Sequence, residues 1–475
     1  MTFRIICMAA AAALTASPST GQTAAETWRA MTRIDLDGAY DLLKTDHPGS
    51  ALELGDVEFV RTLEANYTLA KSRAAQVENI EGYGAVLSGF AVGVGDAHVG
   101  SRVNYRADVN WAGVIIAKKG DAWTVAESDV ADLRDAVIVE CDGVSAARFA
   151  EEKLGGFRAV WRVGAQRIQA APYLLIDEGN PFVLKPKTCT FERGGVQRVE
   201  NLTWRPISRT DLRTKVLKAV PYGAAGYGVR PFAGGYWISL EGLGGKAAEV
   251  VQVVQKQSAQ LHAAPMVVLD LRGNGGGSSV FGRQIAEALV GRPRVNALLR
   301  DNESDCNTAW RLSARNLKQI DLYKTEMRKQ IGEEFVDNLH AQATAAKAAG
   351  QPFSAPVRCD KSREAPRSAA TAPSLMEGRL IVLTDHICFS SCLIVTQDFR
   401  RLGALHVGQA TNADTHFFEV RVDTLPSGLS VFSTLQAFSP SAPKDMGPFE
   451  PALAYFDDIS DTKALEAWIA GLPAA

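Results

Sequence analysis

Apolar residues recur at helical spacing from about residue 28 to residue 90, for example Val60, Leu63 and Tyr67, then Tyr83, Val86, Leu87 and Phe90. This predicts a small N-terminal helical domain over 24–100. It ends in Gly93-Val94-Gly95-Asp96-Ala97-His98-Val99, where glycines break the helix and leave a histidine on a loop. Between 108 and 206 the rhythm shortens to strand-like runs, GVIIA, WTVAE and AVIVEC, separated by Gly and Asp turns, with one helix expected near 146–154. A compact β-rich domain is expected there. Next come a strand-like YWISL, a helix with Val250, Val251, Val254 and Leu261 on one side, and the apolar run PMVVLDL. That is a β-α-β pattern. It resumes with a strand at 380–384, a helix after Ser390 and a strand at 404–408, so 207–291 and 376–475 read as one α/β domain with largely buried strands. The intervening 292–375 is polar, with helical stretches around 317–331. It reads as an insertion, either a cap over the active site or a solvated helical hairpin.

The totals narrow the class. A chain of 475 residues exceeds what one core usually supports, and a formal charge of −2 gives no electrostatic case for nucleic acid or an anionic membrane. The first residues read as an export signal over 1–22: Arg4, an apolar stretch from Ile5 to Ala13, then small residues ending near Leu14-Thr15-Ala16. No later apolar run is long enough to span a bilayer. An exported, periplasmic or secreted location is therefore expected. Removing the signal leaves Cys141, Cys189, Cys306, Cys359, Cys388 and Cys392, an even set that suits disulfides in an oxidising compartment. Cys141–Cys189 and Cys306–Cys359 are the favoured pairs, since each falls within one structural unit. Cys388 and Cys392 flank two serines. On a regular helix they would sit too far apart to bridge, so pairing requires Cys388 to lie in the preceding loop. They lack the second pair that a zinc site needs, and no metal or cofactor is expected.

Two stretches carry candidate chemistry. Ser390 and Ser391 stand where a strand-like LIVLT hands over to a helix, which exposes a hydroxyl beside the unpaired N–H groups of a helix start. Asp270-Leu271-Arg272-Gly273-Asn274-Gly275-Gly276-Gly277 closes a buried strand with a glycine run whose N–H groups can converge on an anion. A phosphate loop is excluded, because no Gly-Lys-Ser/Thr follows. A nucleophilic serine needs a base, and His98, His386 and His416 are the histidines whose context brings them into consideration.

The combination of VVLDLRGNGGG, LIVLTDHICFSS, the following VGQAT and a late PFEP resembles the S41 peptidases, the tail-specific or C-terminal processing proteases and the tricorn core. The resemblance covers most of the chain. It implies an α/β catalytic domain with a crotonase-like ββα core. The processing branch uses a Ser/Lys dyad, but this chain reads GQATNADTH, with Asp414 near the lysine position. A Ser/Lys mechanism is not expected. The tricorn-like branch takes its base from an Asp-x-His motif, which Asp96-Ala97-His98 matches. The glutamate usual after the nucleophile is replaced in Ser391-Cys392-Leu393, and Ser390 is preferred to Ser391 as nucleophile. Aligning Lys444–Pro451 with the segment that carries the family's carboxylate implies Asp445 as the group orienting His98, with Glu450 second. Gly275 or Gly276 and Ser391 would supply oxyanion N–H groups. The β-rich domain resembles a divergent PDZ domain through residues 133–143, which implies an extended peptide bound at its edge.

The expected activity is that of an exported serine endopeptidase acting on peptide or unfolded protein. The rival is a catalytically inactive peptide-binding protein that keeps the fold; an esterase or amidase would share the same triad.

Overall fold

The computed structural model describes residues 23–104, 108–299, 308–357 and 372–473. The signal-like leader, Cys306 and Cys359 lie outside the described residues.

The α/β part of the chain is built on a six-stranded sheet in the order Tyr227–Phe232, Gly235–Leu240, Met266–Asp270, Arg379–Thr384, Leu405–Gly408 and Leu453–Ala454. The first pair is antiparallel and the others are parallel. Side chains alternate across a strand, and here both faces are covered. Val267, Leu269, Leu380 and Val382 pack under the helices Gly245–Lys256, Val280–Val290 and Ser391–Arg401. Met266, Val268, Ile381, Leu383 and Val407 turn the other way, against Leu465 and Ile469 of the C-terminal helix Thr462–Ala470. Each such side chain contributes about 1.5–3 kcal/mol through burial. This explains why the strands read as continuous apolar runs. The carboxyl ends of two neighbouring parallel strands, at Asp270 and Thr384, release the glycine loop and the serine segment side by side.

The N-terminal helices Ala24–Asp46, Val57–Ala74 and Ile80–Gly93 have capped starts: Thr23 with Glu26 in a capping box, Asp56 and Asn79. Their core is not their own. It includes Leu425 and Phe432 from a long hairpin formed by Phe417–Thr424 and Ser430–Phe438. The second strand of that hairpin also pairs with Ser101–Val103 and with Ala309–Trp310. The helical region therefore shares its interior with the C-terminal part of the chain.

The β-rich region forms a sheet in the order Val114–Lys119, Ala122–Ser128, Val137–Cys141, Thr188–Arg193 and Val196–Asn201, closed over Trp123, Val125, Ile138, Phe149 and Phe191. Cys141 and Cys189 stand opposite each other on paired strands and are bridged. The helix expected near 146–154 is Ala146–Ala150, continued by a π-helical turn Glu151–Gly155.

The segment read as an insertion divides in two. Val295 and Leu299 belong to the catalytic core, so its first helix, Arg292–Leu298, is part of that domain. Residues 308–357 lean on the hairpin and the first helix instead of capping the site. Arg315 Nε and Arg421 Nη2 lie 2.5 and 2.6 Å from Asp46 Oδ2, and Asn316 Nδ2 donates to the Asp46 carbonyl at 3.0 Å. Charged and amide groups thus tie this segment to the first helix, beside an apolar contact of Trp310 and Leu312 with Ala437 of the hairpin. Among the described residues no helix is long and apolar enough to cross a membrane.

Candidate active site

Ser390 sits at the N-cap of the helix Ser391–Arg401 with φ 56° and ψ −129°, a conformation that L-residues adopt only when their surroundings impose it. A serine at this position normally accepts a bond from the helix start, worth about 1 kcal/mol. Ser390 makes no such bond. Its Oγ lies 3.2 Å from His98 Nε2 instead. Ser391 is held differently, its hydroxyl donating to the Gly277 carbonyl at 2.7 Å. Of the two serines, only Ser390 presents its oxygen to an imidazole.

His98 reaches this point from the other end of the chain. Helix Ile80–Gly93 unwinds through Gly95, whose φ of 81° suits glycine, and Asp96 accepts the His98 backbone N–H at 2.8 Å. Ser433 on the hairpin fixes the loop from the other side: its hydroxyl donates to the His98 carbonyl at 2.6 Å and accepts the Gly100 N–H at 2.8 Å. The Phe389 ring covers the imidazole with centroids 4.5 Å apart. On the far side of the ring, Nδ1 lies 3.1 Å from Asp414 Oδ1 and 3.8 Å from Asp96 Oδ1. A carboxylate only accepts, so Nδ1 carries the proton and Nε2 is free to take one from Ser390.

The electrostatics follow from burial and two anions. Burial alone would push the His98 pKa down, but the charge and hydrogen bond of Asp414, with the charge of Asp96, outweigh it and raise it to about 8. Burial and the neighbouring Asp414 push the Asp96 carboxyl up, opposed by His98 and by the Thr415 hydroxyl, which donates to Oδ2 at 2.6 Å. Asp96, His98 and Asp414 present three ligand-type atoms within 4.8 Å of one another, a set that could accept a cation. Three of the four carboxylate oxygens already accept hydrogen bonds: Asp96 Oδ1 from the His98 N–H, Asp96 Oδ2 from Thr415, and Asp414 Oδ1 from His98 and, at 2.8 Å, from the Thr415 N–H.

The other expected site residues fall into two groups. Asp445 and Glu450 are not brought to His98. Asp445 is 64% exposed and its Oδ1 lies 3.1 Å from Arg162 Nη2, while Glu450 is exposed and offers only its backbone carbonyl to His406. Asp414 takes the contact because the short strand Asp414–Thr415 pairs with Asp445–Met446 in a register that sets Met446, not Asp445, opposite it. The family pattern held a signal for this: a lysine that reaches the serine from just after GExT must lie in the pocket, so the aspartate standing there does too. His386 and His416 stay away from the serine. His386 Nδ1 lies 3.1 Å from Gln409 Oε1, and the His416 ring packs against Phe417.

The glycine run lies directly against Ser390. A Cβ on Gly276, at φ 103°, would meet Ser390 Cβ at 2.8 Å and Ser391 N at 3.1 Å, so only glycine allows this approach. The Gly276 N–H is already donated to Asn274 Oδ1 at 2.9 Å, which removes it as an oxyanion donor. Gly275 is exposed, and its N–H and that of Ser391 have no partner among the described residues. These two remain as donors. Asp270 and Arg272 do not face the pocket. They form a buried two-point ion pair (2.9 and 2.7 Å), and Arg272 also donates to the Ile459 carbonyl at 2.6 Å, anchoring the strand end to the C-terminal segment.

Residues 237–443 match the family model of peptidase family S41. Over this stretch the chain is similar to the S41 serine peptidases. The chain shares its fold with mature CPAF complexed with lactacystin, at 14% identity and a TM-score of 0.61 over 94% of this chain and 98% of the other. A second structure of mature CPAF gives 14% identity and a TM-score of 0.59 over 94% and 97%. No curated protein matches this chain by sequence.

Proposed function

We propose that this peptidase is an exported serine endopeptidase that works through an acyl-enzyme with Ser390 as nucleophile, His98 as general base and Asp414 as the orienting carboxylate. The observation that carries the reading is the unbroken line Ser390 Oγ, His98 Nε2, His98 Nδ1, Asp414 Oδ1, with steps of 3.2 and 3.1 Å between residues 292 and 316 positions apart. Ser390 Oγ attacks the peptide carbonyl carbon as its proton moves to Nε2. The oxyanion rests on the Gly275 and Ser391 N–H groups, each worth about 3–4 kcal/mol in the transition state. His98 then gives its proton to the leaving amine, and water, deprotonated by the same nitrogen, releases the acyl group. Asp414 holds the imidazole in the required tautomer and stabilises its cation.

Export is supported by the signal-like leader, and a PDZ-like role for the β-rich region by its hairpin motif. Gln169 Nε2 of that region donates to the His386 carbonyl at 2.7 Å and Gln166 Nε2 to Asn412 Oδ1 at 3.3 Å, which would let a peptide held there be felt beside the serine. A purely peptide-binding role has no use for an assembled Ser-His-Asp line.

A fluorophosphonate probe should label the wild-type protein at residue 390, as read by mass spectrometry of the adduct. Ser391→Ala should still label, slowed by no more than about fivefold, since it loses one neutral hydrogen bond of about 1 kcal/mol and keeps its N–H. An adduct on Ser391, or no adduct at all, contradicts the assignment.

The pH dependence has a definite sign. The base acts only when neutral, so kcat/KM should climb about tenfold per pH unit below the His98 pKa of about 8 and level off above it. Stability runs oppositely. A histidine whose folded pKa is raised from 6.5 to about 8 contributes stability fully present below pH 6.5 and lost as pH rises through about 8. Initial rates on a peptide across pH 5.5 to 9.5 would check this, and a flat profile would remove His98 as the base.

A further inference from the structure

We infer that the Cys388–Cys392 disulfide is a positioning device for Ser390, so that the peptidase works only in its oxidised form. This rests on the Ser390 reading above. The bridge spans Phe389, Ser390 and Ser391, with Cys388 in the loop and Cys392 in the first turn of the helix Ser391–Arg401. Both half-cystines are fully buried. Around this small ring the backbone is tied at every point that matters for the chemistry. The Cys388 N–H donates to the Asp385 carbonyl (3.1 Å), and the Cys388 carbonyl accepts the Asn412 N–H (3.0 Å), two residues before Asp414. The Phe389 N–H donates to the Asn274 carbonyl of the glycine loop (3.2 Å), and the Phe389 ring lies on the imidazole. One covalent link therefore ties the nucleophile's helix to the loop residue whose carbonyl hydrogen-bonds the stretch that carries the orienting aspartate.

The need for such a link is local. Ser390 holds φ 56° without a capping bond from its own side chain, so the conformation that exposes Oγ has to be imposed from outside. Without the bridge, Cys388 is free to move toward Thr396 Oγ1, already 3.5 Å from its sulfur, and the elbow can relax toward an ordinary N-cap in which the serine hydroxyl turns to the helix. Substrate groups away from the scissile bond bind as before. The loss therefore appears in kcat and not in KM.

The test compares two disulfides in the same chain. C388A/C392A should lower kcat by about 10²-fold, the cost of an ångström-scale misplacement, with KM little changed and fluorophosphonate labelling slowed in parallel. C141A/C189A removes the bridge of the β-rich region and should change kcat by no more than about twofold. As a check independent of substitution, wild-type protein is treated with dithiothreitol, which gives two electrons and two protons to the bridge and becomes its own cyclic disulfide. Once mass spectrometry shows Cys388 and Cys392 as thiols, labelling should fall, and reoxidation should restore it. A reduced wild-type protein, or a C388A/C392A protein, that labels and cleaves at the oxidised wild-type rate overturns the inference. Oxidised wild-type protein that neither labels nor cleaves overturns instead the serine-peptidase reading on which it stands.

Discussion

Replacing Ser390 by alanine is expected to lower kcat by about 10⁶-fold and to abolish fluorophosphonate labelling while the protein stays folded. The size follows from the chemistry: without Oγ no acyl-enzyme forms, and the oxyanion donors alone give only a residual rate. The persistence of the fold follows from the geometry. Ser390 Oγ caps no helix, so alanine removes no bond that holds the helix Ser391–Arg401 in place, and at φ 56° the backbone is no worse for alanine than for serine. The melting temperature should stay close to that of the wild type. Single-turnover cleavage of a peptide would measure the loss, and a variant keeping more than about one per cent of the rate would mean that another group attacks.

Asp414→Asn should lower kcat by about 10⁴-fold. An amide can present its NH₂ to Nδ1, which then becomes an acceptor and leaves the proton on Nε2, where it faces Ser390 and cannot receive another. Loss of the anion also removes the main influence raising the His98 pKa, so the pH profile should shift toward acid as the rate falls. Asp445→Asn is the companion measurement. Its carboxylate is exposed and paired with Arg162, and a surface pair of this kind is worth about 0–1 kcal/mol, so activity should be almost unchanged. If the two variants exchange these outcomes, Asp445 is the orienting residue and the contact to Asp414 is incidental.

Much of this organisation was legible in the sequence where one signal dominated. The runs around 266–270 and 380–384 are apolar throughout because both faces are covered, and no competing pattern obscured them. The glycine and serine segments followed from strand ends meeting helix starts. The hairpin of Phe417–Thr424 and Ser430–Phe438 was not legible. Its first strand leaves Val420 and Val422 exposed at 42% and 58% while burying Arg421, so the alternation that marks a half-buried strand is inverted. Arg421 is buried because it meets Asp46 and Asn316, partners more than a hundred positions away that no local window contains. The same limit applied to Asp414. Motif spacing placed the carboxylate by counting from Pro451, whereas the fold placed it by strand register with Met446. The bridge of Cys388 to Cys392 was legible only as a condition, that the first cysteine precede the helix, and it does.

The hairpin has a consequence for synthesis. It is made after both His98 and Ser390, yet it supplies Ser433 to hold the loop of His98 and Phe432 to complete the interior of the first three helices. A ribosome that has released residue 98, or even residue 390, has therefore not yet supplied the piece that brings the two into register. Until those two strands have emerged, the growing polypeptide carries the serine and the histidine without the frame that aligns them.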